Sequence, residues 1–188
     1  GKPQVLHFDM SGKGEKAAMI CGGQLDVLIE PILSKDTLYL FGAGHISEVT
    51  TRIAKMLDFD VTVIDPRPDY CNRDRFPGAD ALLAEEYESV FSKLVVPQGS
   101  YIVIFTTGHV FDEQCLNFAI TTRASYIGMI GSRKKAADVK ERLINKGVPA
   151  DKLEKVHSPV GLEIGAETPA EIAISILAEI IKFKRLNN

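Results

Sequence analysis

TLYLFGAGHISEV, residues 37–49, joins two patterns at a pair of glycines. Leu38, Tyr39, Leu40 and Phe41 form an unbroken apolar run, the mark of a strand buried on both faces. Beyond the glycines, Ile46, Val49, Ile53, Met56 and Leu57 recur three or four apart, which predicts an amphipathic helix over 46–59. Between strand and helix, Gly42-Ala43-Gly44-His45 permits a tight turn and a close approach to the backbone. The helix start presents unpaired N–H groups and a partial positive charge, so an anionic group is expected there. Two details depart from a plain dinucleotide turn: Ser47 stands where a third glycine would be, and His45 follows the second. The same glycines would also serve simple close packing of helix on strand.

Downstream, VTVID (61–65) predicts the next strand and ends on Asp65, placed to accept hydrogen bonds from a ribose. Arg67 lies two residues on and can meet a phosphate instead. Further βα alternation follows: strands over 79–85, 101–108 and 125–132, helices over 87–94, 111–122 and 133–147, and a last strand over 155–161. A long helix over 167–185 closes the chain, with Thr168 as N-cap, Pro169 at the first helical position and Glu171 completing a capping box. Apolar strands separated by helices imply a sheet covered on both faces. The expected fold is α/β, a Rossmann-like three-layer sandwich with a mainly parallel sheet. Residues 1–33 break the alternation: 4–10 and 17–32 read as two or three strands with glycine turns, a short β-rich region ahead of a Rossmann-like domain over 34–188.

The carboxyl ends of parallel strands share one edge, so other strand-end segments belong to the same crevice. Thr106-Thr107-Gly108-His109, with Asp112, is one; His109 and His45 are expected to face the same crevice, although a lone histidine more often serves structure. Gly131-Ser132-Arg133 is another, a second anion site or simply a capped basic first turn. His157 to Pro169, with its glycines and prolines, reads as an ordered loop on that edge. Cys21, between Ile20 and Gly22-Gly23, is open on one side, as a reactive or metal-binding sulfur requires; a small buried cysteine beside a turn is the plainer reading. Cys71 and Cys115 read as structural.

The 188 residues are 45% hydrophobic and 25% charged, with a formal net charge of −3, so nothing favours nucleic acid or an anionic membrane surface. No apolar run nears the ~20 residues that span a bilayer, and three scattered cysteines form neither a disulfide framework nor a zinc motif. The chain reads as cytoplasmic.

Six stretches together resemble the xanthine dehydrogenase accessory protein family (XdhC/CoxI): CGGQLDVLIEP, FGAGHIS, VTVIDPR with the downstream RFPGADAL, TTGHVFDEQCL, YIGMIGSRKK and VHSPVGLEIGAETPAEIAISILAEI, in family order over about residues 19–182. The resemblance implies a nucleotide-binding Rossmann fold and a chaperone role. Such a protein binds the molybdenum cofactor (molybdopterin), holds it during sulfuration by a cysteine desulfurase and inserts it into an apo molybdenum hydroxylase. Carried over by position, Cys21 is the candidate metal thiolate, and Gly42, Ala43, Gly44, His45, Asp65, Arg67, Thr107, Gly108, His109, Gly131, Ser132 and Arg133 are the candidate cofactor-binding residues. Glu163 departs from the family's usual Asp. A homodimer is an open option. The alternative is an NAD(P)-dependent oxidoreductase, which lacks a Tyr-xxx-Lys pair here; a third is an interaction module docking through the apolar face of 167–185.

Overall fold

The computed structural model describes residues 3–9, 23–29 and 35–187. The chain divides into two units, Gly1–Ser34 and Lys35–Asn188. In the first, β1 (Gln4–Asp9) pairs antiparallel with β2 (Gln24–Ile29). Strand alternation places Leu6, Phe8, Leu25 and Val27 on one face, while His7 and Asp26 pair at 2.5 Å on the other. Cys21 lies outside the described residues.

The second unit is built on β3 (Thr37–Phe41), β4 (Asp60–Ile64), β5 (Ala81–Leu83), β6 (Tyr101–Ile104) and β7 (Tyr126–Met129). They form one sheet in the order β5-β4-β3-β6-β7, every pair parallel. Helices α1 (His45–Met56), α2 (Tyr87–Lys93), α3 (His109–Ala119), α4 (Arg133–Asn145), α5 (Ala150–Glu154) and α6 (Pro169–Leu186) connect or cover the strands. This is the expected Rossmann-like architecture.

Strand alternation divides the core. Leu38, Leu40, Val61, Val63, Tyr101 and Val103 pack on one face with Ala54 of α1 and Ile176, Leu177 and Ile180 of α6. Tyr39, Phe41, Ile64, Ile102, Ile104 and Met129 pack on the other with α2, α3 and α4, through Val90, Leu116 and Val139. The apolar face of 167–185 is therefore spent mainly in the core rather than left for docking. Capping sets where α6 begins: Glu171 N–H donates to Thr168 Oγ1, and the Glu171 carboxylate accepts from Thr168 N–H at 3.0 Å.

Two details differ from the sequence reading. Residues 155–161 do not form a strand; His157 makes an isolated parallel bridge to Gly128, with His157 N–H donating to Ile127 O and Val160 N–H to Met129 O. Pro159 has no N–H to donate, so a ladder cannot run through it. The short α5 was not expected; five residues are too few for a helical period to register. Among the described residues no helix is long and apolar enough to cross a membrane.

Candidate functional site

The chain leaves β3 for β4 and β5 on one side, then returns past β3 to β6 and β7 on the other. The switch point between β3 and β6 is where open α/β sheets bind ligands, outside the carboxyl ends of the strands. Four of the predicted segments lie on that edge: Gly42–His45 after β3, Asp65 and Arg67 after β4, Thr106–His109 after β6, and Gly131–Arg133 after β7.

The glycine turn is packed against the exit of β6. Gly42 has φ of +107°, and a Cβ built there would lie 2.7 Å from Phe105 O and 2.8 Å from Phe105 C. Its N–H donates to Ile64 O at 2.7 Å, and Phe105 N–H donates to Phe41 O at 2.7 Å. Three strand ends thus hold one another, and glycine is required at 42 by both conformation and space. Gly44 is different: it is the N-cap of α1 with φ of −76°, and a Cβ there would meet nothing within 4 Å. The backbone beyond this second glycine is open to a visitor.

The helix starts on this edge are not equivalent. Ser132 caps α4, its Oγ accepting from Lys135 N–H at 3.1 Å. The caps of α1 and α3 are Gly44 and Gly108, with no side-chain cap hydrogen bond at either. A helix leaves its first N–H groups without intrahelical partners, so α1 and α3 present donors and positive dipole ends at the switch point. His45 and His109 are the first residues of these helices, and His45 is exposed. Ala43 and Thr106 are buried, whereas Thr107 and Gly108 are exposed, so the open rim after β6 begins at Thr107.

Asp65 does something the motif alone does not announce. The residue is 1% exposed, and its carboxylate accepts four hydrogen bonds. Oδ2 accepts from Ala43 N–H at 2.8 Å and Arg67 Nη2 at 2.8 Å; Oδ1 accepts from Arg67 N–H at 3.0 Å and Arg67 Nε at 2.8 Å. Burial by itself raises the acid's pKa, but the Arg67 guanidinium and the two backbone N–H groups outweigh it and hold the carboxyl below the usual aspartate range. Asp65 therefore ties the glycine turn to the β4 exit, with its acceptor positions filled.

Arg75, which sequence patterning did not single out, completes the clamp. Its Nη1 donates to Ala43 O at 2.9 Å, and its Nη2 donates to Glu48 Oε2 of α1 at 3.2 Å. Both polar backbone groups of Ala43 are thus held by side chains that follow β4. Tyr70 stands beside the two arginines, 4.0 Å from the Arg67 guanidinium carbon and 4.9 Å from that of Arg75, measured to the ring centroid.

Beneath the β6 side lies a second buried network. Asp112 is fully buried; its Oδ1 accepts from Thr106 Oγ1 at 2.5 Å, and its Oδ2 forms an ion pair with Lys135 Nζ. The Lys135 stem also covers Gly131. The first turns of α3 and α4 are thereby joined, and Asp112 is a support for the rim rather than part of its surface. Arg133 reaches outward to Glu163 Oε1 at 2.6 Å, both side chains exposed.

The loop over 157–169 is ordered from below: His157 Nδ1 lies 2.7 Å from Glu179 Oε1, the His157 ring stacks on Tyr126 at 4.5 Å, and Gly161 N–H donates to Glu179 Oε2. Cys71 and Cys115 are buried, and burial pushes both thiols up, as structural cysteines require. Among the described residues no three His, Cys, Asp or Glu side chains form a group able to hold a metal.

Comparison with known proteins agrees with this architecture. The XdhC Rossmann domain family matches residues 38–180. The chain is 35% identical over 185 residues to an uncharacterized protein of Escherichia coli K12, YqeB, covering 97% of this chain and 34% of that protein. It is 36% identical over 160 residues to a protein of Bacillus subtilis 168 named as a probable xanthine dehydrogenase subunit, covering 85% of this chain and 46% of that one. A crystal structure described as a xanthine dehydrogenase from Bacillus halodurans superposes with a TM-score of 0.72 at 31% identity, covering 86% of this chain and 47% of that one. The chain thus spans between a third and a half of these relatives. Fold, strand-end geometry and similarity converge: the chain belongs to the XdhC family, whose Rossmann domain it carries.

Proposed function

We propose that the chain is the cofactor-holding part of a maturation factor for a xanthine dehydrogenase-type molybdenum hydroxylase. In this reading it binds the molybdenum cofactor in the crevice between the β3 and β6 ends. It keeps the cofactor in place while a cysteine desulfurase route installs the terminal sulfur, and passes it to the apo-hydroxylase. The observation that carries the proposal is the pair of glycine-capped helix starts, α1 and α3, which offer backbone donors side by side at the switch point. Support comes also from family membership and from the xanthine dehydrogenase names of two relatives.

The cofactor is cargo and brings its own molybdenum and sulfur chemistry. The chain supplies the grip. The α1 start, kept open at Gly44 and braced by Asp65 and Arg75 through Ala43, shares the cofactor's phosphate with Arg67, which meets Ala43 at the same Asp65 oxygen; the α3 start and the rim from Thr107 to His109 border the pterin. Gly131-Ser132-Arg133 closes the far side, and His45 stands where it can donate a hydrogen bond to bound ligand. Cys21 is the proposed thiolate toward the metal, a soft donor suited to a centre already carrying sulfur.

Anaerobic incubation of the chain with released cofactor, followed by gel filtration and metal analysis, tests this. Molybdenum co-eluting with the protein and lost in a Gly44→Trp variant supports it; no co-elution, or retention unchanged by that variant, overturns it. An NAD(P)-dependent oxidoreductase is the competing reading. It predicts NADH or NADPH binding with turnover of a carbonyl substrate, and the filled Asp65 carboxylate weighs against ribose recognition of the NAD kind.

A further inference from the structure

The position of Asp65 is where dinucleotide-binding folds read a ribose diol with an acidic side chain. A carboxylate has about four acceptor positions, and here Ala43 N–H, Arg67 N–H, Arg67 Nε and Arg67 Nη2 take them while the group is 1% exposed. A sugar hydroxyl arriving at this end finds no free acid.

What it finds instead is Arg67. A guanidinium has five N–H donors, and the contact to Asp65 uses one on Nε and one on Nη2. The remaining edge, between Nη1 and Nη2, is the fork that matches two oxygens of a phosphate. Arg67 keeps 42% of its side chain exposed, so this edge is reachable. It is also held still: Asp65 fixes one edge, Tyr70 lies under the plane at 4.0 Å, and Arg75 stands over the same tyrosine at 4.9 Å. Arg75 donates to Ala43 O, Tyr70 O and Glu48 and keeps only 21% of its side chain exposed, so it braces the shelf rather than adding to it.

We infer that Arg67, supported by Tyr70, is a phosphate-reading subsite at the β4 end of the crevice, and that it selects ligands carrying a phosphomonoester there over ligands presenting a free diol. The inference rests on the reading that the crevice holds a phosphorylated ligand. The phosphomonoester has two sources, the 2′-phosphate of a nucleotide or the phosphate of the pterin cofactor.

Calorimetric titration of the chain at low ionic strength separates the cases, with adenosine 2′,5′-bisphosphate, 5′-AMP and released molybdenum cofactor as probes. The expected result is that the bisphosphate or the cofactor binds in an Arg67-dependent manner. Arg67→Ala weakens it roughly tenfold or more, and Arg67→Lys, which keeps the charge but not the fork, weakens it partway. If the source is a nucleotide, the bisphosphate binds at least about tenfold tighter than 5′-AMP, and Arg67→Ala, by freeing Asp65, abolishes or reverses that preference. Tyr70→Leu, which leaves Arg67 and Asp65 in place, gives a smaller loss and keeps the test open if Arg67→Ala unfolds. Bisphosphate bound in an Arg67-dependent manner with no cofactor retained supports the subsite while overturning the maturation reading. Cofactor retained equally by all three variants, with 5′-AMP and the bisphosphate bound alike, overturns the subsite and leaves the maturation reading standing. Binding of neither the bisphosphate nor the cofactor overturns both.

Discussion

Gly42 and Gly44 are two residues apart in one turn, yet substitution by alanine should affect them in opposite ways. At Gly42 the added methyl meets Phe105 O at 2.7 Å, Phe105 C at 2.8 Å and Thr106 N at 3.1 Å. All three are backbone atoms of a strand exit that is itself hydrogen-bonded to Phe41, so none can swing away. The φ of +107° adds a conformational cost of roughly 1–2 kcal/mol for an L side chain. Overpacking against an unyielding neighbour costs typically about 1–3 kcal/mol. The expected loss for Gly42→Ala is therefore about 2–5 kcal/mol, a large part of the roughly 5–15 kcal/mol that holds a domain folded. At about 2–4 °C per kcal/mol for a domain of this size, the melting temperature should fall by roughly 4–20 °C. Gly44→Ala meets nothing within 4 Å at an ordinary φ and should cost under about 1 kcal/mol, while placing a methyl on the open backbone and weakening cofactor retention. The chain has no tryptophan, so far-UV circular dichroism is the suitable probe for melting and urea unfolding. A Gly42→Ala variant as stable as the parent, or a Gly44→Ala variant that loses more stability than Gly42→Ala, would show that the contact with Phe105 does not set the stability of this turn.

Three further outcomes follow. Lys135→Met should destabilise by about 3–5 kcal/mol, because it leaves the fully buried Asp112 carboxylate without its counter-ion; Asp112→Asn with Lys135→Met should recover much of that loss in urea unfolding, and an additive double variant would show the pair to be uncoupled. Asp65 is held below the ordinary aspartate value of 3.8, so the unfolded chain binds the proton more readily: its stabilisation is complete well above that value and is lost as pH falls through it toward the lower folded pKa. Urea midpoints at pH 6 and pH 3 should therefore differ more in the parent than in Asp65→Asn, and an equal acid loss in both would contradict the assignment. Thr168→Ala should cost about 1 kcal/mol by removing the N-cap of α6, read as a lowered melting temperature, whereas an unchanged value would mean that packing on α1 alone holds that helix start.

The main elements of this protein are legible in the chain because each carries its own period. Leu38 to Phe41 and Tyr101 to Ile104 are apolar without a break, and a strand buried on both faces must be. Thr168-Pro169-Ala170-Glu171 announces the start of α6 through contacts within four residues. The convergence of Gly42, Asp65, Thr107 and Gly131 on one edge follows from parallel pairing alone. Four features were not legible in that way. Residues 155–161 have the composition of a strand, but Pro159 cannot donate to a ladder, and the segment makes only a bridge beside β7. Lys135 reaches Asp112 from another helix, and Arg75 reaches Ala43 from a loop without periodicity, so no local signal pairs them. Asp65 looks from its position like a ribose acceptor; only the folded chain brings Ala43 N–H and the Arg67 fork onto it. The layers, the strand ends and the glycine turn are written into local patterning, because periodicity and turn chemistry act over a few residues. Which polar groups on that edge remain free for a ligand is set only by the folded chain, because each one's partner arrives from a distant part of the sequence.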